Sequence, residues 1–67
     1  MKNKRFAVSL VYTKRVKEGT MIIMKMEIVR SSSDEEAVEI VQLMHLEEMR
    51  NAKLEMYCAK PIDDKKR

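Results

Sequence analysis

Sixty-seven residues carrying a net charge of +3 make one small domain, and a chain of that size buries only about 60% of the surface it exposes when unfolded. One Cys excludes an internal disulfide and one His excludes a zinc cluster, so stability must come from patterning or self-association. No run of the sequence approaches the ~20 apolar residues that span a bilayer.

The charge is unevenly placed. Residues 1–30 hold eight Lys/Arg and two Glu, a net of +6; residues 31–52 hold one Arg and six Asp/Glu, a net of −5; residues 53–67 return to +2. A field divided in this way steers association more than it shapes a fold. The basic start, Met1-Lys2-Asn3-Lys4-Arg5, leads into an apolar run that is short for a secretory signal and is followed by no small-residue cleavage site. With a lone free thiol, the expected compartment is the reducing cytoplasm.

Residues 4–13 alternate: Phe6, Val8, Leu10 and Tyr12 on one face, Arg5, Ala7, Ser9, Val11 and Thr13 on the other. Period two with β-branched and aromatic residues predicts a half-buried strand. Residues 14–19 read as a hairpin loop, with Gly19, the one glycine of the chain, supplying a positive φ. Residues 20–30 predict a second strand. Its face Ile22, Met24, Met26, Ile28 is wholly apolar, and its face Met21, Ile23, Lys25, Glu27, Val29 is mixed, so the first is expected in the core.

Ser31-Ser32-Ser33 ends the alternation. Ser33 with Glu36 reads as a capping box, and Asp34, Glu35 and Glu36 fill the first turn of a helix expected over about residues 34–50. Ala37, Val38, Ile40, Val41, Met44, His45 and Met49 form its apolar stripe, Glu48 is a misfit within it, and Asn51 is the expected left-handed stop. Residues 53–59 alternate again, with Leu54, Met56 and Cys58 expected inward and Lys53, Glu55, Tyr57 and Ala59 outward, and Pro61 closes the strand. The tail at 63–67 is charged and expected to be disordered.

These elements predict an α+β domain over residues 1–62: ββαβ, a three-stranded antiparallel sheet in order 2-1-3 with one helix packed on one face. The first strand has the most regular alternation and therefore takes the centre. The last strand could lie beside the second or the first; the central place of the first favours the latter, and either arrangement makes the crossover right-handed.

The side chains that could carry chemistry are few. His45 has no local nucleophile or acid partner, and Cys58 sits among apolar neighbours, so each reads as structural rather than catalytic. The chain is expected to act by binding, not catalysis, and calls for no metal or cofactor. Two surfaces remain. Lys14, Arg15 and Lys17 crowd the hairpin tip, where they could grip phosphates; nucleic-acid readers that use a sheet face put aromatics there, and here Phe6 and Tyr12 point to the core. Nucleic acid therefore ranks below a protein partner. The sheet face opposite the helix is expected to expose Val11, Met21, Ile23, Val29 and Tyr57, rimmed by charges that include Arg5, Lys25 and Glu27, as a contact with a larger protein or with a second copy of the chain.

Three stretches carry a resemblance: the alternating Phe6 to Tyr12, the acidic helix start Asp34-Glu35-Glu36-Ala37, and Lys60-Pro61 closing the last strand. Together they resemble small bacteriophage host-takeover proteins, among them phage inhibitors of bacterial RNA polymerase. That resemblance implies a ββαβ fold in the host cytoplasm that inhibits or redirects a host protein, with RNA polymerase or a host toxin as targets. Lys60 matches the second of two basic residues that such inhibitors place before the proline, and Cys58 stands where the first would be.

Overall fold

A computed structural model of the chain describes residues 3–62; the tail expected to be disordered lies outside them. The elements are β1 (Lys4–Val16), β2 (Gly19–Ser31), α1 (Asp34–Met44) and β3 (Lys53–Pro61). The sheet has the order β2-β1-β3 with both pairings antiparallel, the ββαβ architecture that the alternation and connections predict. The central strand buries Phe6, Val8, Leu10 and Tyr12 against Ala37, Val38 and Val41 of the helix, and Met49 closes one end of this core. Ile23, Val29, Leu54 and Ala59 pack at its margin.

The hairpin is tighter than expected. Val16 pairs with Gly19, so the turn is only Lys17 and Glu18. Gly19 takes φ 142°, a conformation that a residue with a Cβ rarely adopts. This two-residue turn fixes which side of β2 is covered. Residues opposed in an antiparallel pair share a face, and the register sets Tyr12 against Ile23, Leu10 against Lys25, Val8 against Glu27 and Phe6 against Val29. The mixed face of β2 therefore lies on the helix side. Ile22, Met24, Met26 and Ile28, expected in the core, lie on the uncovered side and are exposed.

A bulge makes the second correction. On β3, Val11 faces Met56 while Tyr12 faces Leu54, leaving Glu55 as the extra residue. The inserted residue shifts the side-chain alternation by one. Leu54 keeps its expected place at the core, but beyond the bulge Tyr57 and Ala59 fall on the helix side, and Met56 and Cys58 on the open side.

Ser33 caps α1 as expected: its Oγ accepts the Glu36 N–H at 3.2 Å. Glu36 reaches back one residue further than a capping box requires, accepting from the Ser32 N–H at 3.0 Å and the Ser32 hydroxyl at 2.7 Å. The regular helix stops at Met44, earlier than expected. A series of turns follows to Asn51, which has no positive φ, and Met44 is exposed. These turns drop Met49 into the core and carry Glu48 off the apolar stripe to Lys25, which accounts for the misfit in the helical pattern.

Candidate functional site

The face of the sheet away from α1 is built from alternate residues of all three strands. β1 contributes Ala7, Ser9 and Val11; β2 contributes Ile22, Met24, Met26 and Ile28; β3 contributes Met56 and Cys58. Ala7 and Ser9 are short, so the side chains of β2 stand proud of the central strand. They leave a shallow trough of about 530 Å³ bounded by Ala7, Ser9, Met26 and Ile28. Ile22, Met24, Met26, Ile28 and Met56 are each 60–70% exposed. Together they present on the order of 600–700 Å² of apolar surface, at or above the largest patch on a typical monomer and close to the ~800 Å² that one partner brings to a stable interface. No described residue of the chain covers this face.

The ends of the face are polar. Arg5 pairs with Arg30 and Ala7 with Lys60 at one end, which places Arg5, Arg30 and Lys60 there. At the other, the Thr13 hydroxyl donates to Glu55 at 3.1 Å and Lys53 lies 3.9 Å from the same carboxylate.

Of the residues expected at a protein contact, Arg5, Val11 and Lys60 belong to this open side. Met21, Ile23, Lys25, Glu27 and Tyr57 do not. Ile23 packs against the core, and Tyr57 stands exposed beside the first turns of the helix, near Asp34, Glu35 and Val38. Lys25 and Glu27 reach the turns after the helix. The Lys25 ammonium donates to Glu48 at 2.6 Å, and Glu27 sits 3.0 Å from His45 Nε2, whose Nδ1 is 3.5 Å from Glu48. The bond from Lys25 holds the Glu48 carboxyl below the usual carboxylate range. This Lys25–Glu48–His45–Glu27 chain clips the helix end to the edge strand, and no nucleophile stands in it. The apolar residues that make the open face were visible as a period-two row in the sequence; only the side on which the row falls was not.

The hairpin candidates separate. Lys14 and Arg15 join Arg50 and Lys53 around an open cleft of about 680 Å³, whose one acidic lining residue is Glu55. Lys17 lies in the two-residue turn outside it. Among the described residues no group of acidic, His and Cys side chains could hold a metal, and no helix is long and apolar enough to cross a membrane.

The chain matches no protein-family model, no curated protein and no solved structure.

Proposed function

We propose that the protein is a non-enzymatic binding protein that docks a larger protein through its open sheet face, and so inhibits or redirects it. One observation carries this reading: a contiguous row of exposed Ile and Met side chains on a sheet face that no described residue buries. Exposed apolar surface on this scale is costly in water and is retained where a partner covers it. Met suits the role because its flexible thioether repacks against irregular surfaces. Arg30 and Lys60 at one end favour a target whose apolar surface has an acidic margin. A phage-type effector acting in a host cytoplasm, with bacterial RNA polymerase as one target, is the form of this reading that the ββαβ layout and Lys60-Pro61 favour.

The test compares immobilised parent, Met24→Asp and Met26→Asp proteins in a bacterial lysate, with retained proteins identified by mass spectrometry. A protein held by the parent and lost from both folded variants is the expected result. Equal retention by all three removes the open face from the function.

A second reading has its own observation, the cleft where Lys14 and Arg15 meet Arg50 and Lys53. Four cations around one concavity suit a phosphate backbone. Changing Lys14, Arg15 and Arg50 to Ser together would then weaken DNA or RNA binding and flatten its dependence on salt.

A further inference from the structure

The two edges of the sheet are built differently. β3 carries a bulge at Glu55, a proline at its end and Lys53 and Lys60 near its termini, devices that discourage pairing with another strand. β2 has thirteen residues, with no proline and no bulge in its ladder with β1. Because Val16 and Gly19 flank a two-residue turn, they form a hydrogen-bonded pair, and the unbroken register repeats that pattern at every second residue. The odd residues of β2 thus direct their backbone groups to β1. The even residues, Thr20 to Arg30, direct theirs to the free edge.

We propose that this edge pairs with a second copy of itself, antiparallel about a two-fold axis at Met26, to give a six-stranded sheet. Backbone geometry admits only registers in which outward-directed residues meet, and the charges choose among them. An axis at Lys25 or at Glu27 sets that charge against its own copy. An axis at Met24 or Ile28 leaves both charges opposite uncharged residues. The axis at Met26 sets Lys25 opposite Glu27 twice, Ile23 opposite Val29, and Met24 opposite Ile28. Such a contact is isologous, carries about ten new backbone hydrogen bonds, and joins the two open faces into one. It uses the edge rather than the face, so it holds whatever the open face binds.

Sedimentation of the full chain from ~1 µM to ~1 mM tests the association itself, and a dimer that dissociates on dilution is expected. Lys25→Glu and Glu27→Lys each turn both cross-strand pairs into like charges, raising the dissociation constant roughly tenfold or more. Mixed in equal amounts, the two variants restore both pairs, and a heterodimer should form where neither variant dimerises alone. Both substitutions also alter the clip to the helix end, so a second experiment leaves Lys25 and Glu27 in place. In a Cys58→Ser background, Met26→Cys places two thiols on residues about 5.5 Å apart, within the ~4.4–6.8 Å that a disulfide spans. Ile28→Cys places them about 14–15 Å apart. Mild oxidation should therefore link the first and not the second. A parent that stays monomeric throughout, a mixture that forms no heterodimer, or linking at Ile28→Cys as strong as at Met26→Cys would overturn the proposal.

Discussion

The two faces of this sheet invert what composition leads one to expect. Under the helix, β2 presents a row that includes Lys25 and Glu27; on the uncovered side it presents Ile22, Met24, Met26 and Ile28. The central strand has no such ambiguity, since its apolar row is the one beneath the helix. An edge strand does not choose its own buried side. It inherits that side through register from the strand it pairs with, and one residue of register exchanges the two rows. Lys25 and Glu27 are tolerated on the covered side because they sit at its flank, where Glu48 and His45 meet their charges. The open row has no such compensation among the described residues and stays exposed.

The difference is broken most directly by truncating one side chain on each face. Leu10 is fully buried at the centre of the core, and Leu10→Ala should cost ~2–5 kcal/mol, most of what so small a domain has. Ile22→Ala, on the exposed row, should change stability by no more than about 0.5 kcal/mol. Urea or thermal melts at low protein concentration measure both. Equal losses would mean that the open face is also buried in solution.

Adjacent residues sharpen the same contrast. Ile22 and Ile23 differ by one position and by the face on which they lie; Ile23 packs against the core and Ile22 does not. Ile23→Asp puts a charge at the margin of the core and should destabilise by ~1–3 kcal/mol, whereas Ile22→Asp should stay within about 0.5 kcal/mol. A reversed ranking in the same melts would reverse the faces of β2.

Much of this was legible in the sequence, and the rest failed for identifiable reasons. The alternation of Phe6 to Tyr12 gave the central strand, its buried face and, with connection rules, the order 2-1-3. Ser33 announced the helix start because its short hydroxyl has a defined partner in the Glu36 N–H. The face of β2 was hidden because it depends on the length of the turn. A Lys-Arg-Val-Lys-Glu stretch does not declare that only Lys17 and Glu18 form that turn. The faces of Met56, Tyr57 and Cys58 were hidden by a bulge at Glu55, whose cause lies in the pairing with β1 rather than in the residue itself. The candidate site followed the same division. Alternation marks an exposed apolar sheet face, but it places Ile23 and Tyr57 on that face and Met24 and Met26 in the core, whereas the register puts the first two on the helix side and the last two on the open side.

A smaller effect is expected at the junction that leads the covered side into the helix. Ser33→Ala removes the acceptor of the Glu36 N–H and should cost about 1 kcal/mol, within the ~0.5–2 kcal/mol range of lost caps. The loss should be accompanied by faster hydrogen exchange in the first turn of α1 and not in β2. Equal acceleration in both would mean that the cap also holds the edge strand.

The smallest effect concerns pH, and it too divides the faces. Bonds from the Ser32 N–H, then from the Ser32 and Ser31 hydroxyls, hold the Glu36 carboxyl below its ordinary value of 4.5, and Lys25 does the same for Glu48. A carboxyl whose pKa is lower folded than unfolded leaves the unfolded chain binding more protons between those two values. Stability therefore rises with pH there, is complete above about 4.5, and is lost as pH falls through the folded value. Both groups belong to the helix and its flanks, and none of the open row of β2 from Ile22 to Ile28 titrates. Glu36→Gln and Glu48→Gln should each flatten the acid limb of a plot of stability against pH. Met24→Ala should leave that limb parallel to the parent's. A Met24→Ala limb as flat as that of the Gln variants would show that acid acts through the open face, and the electrostatic division between the two sides would have to be abandoned.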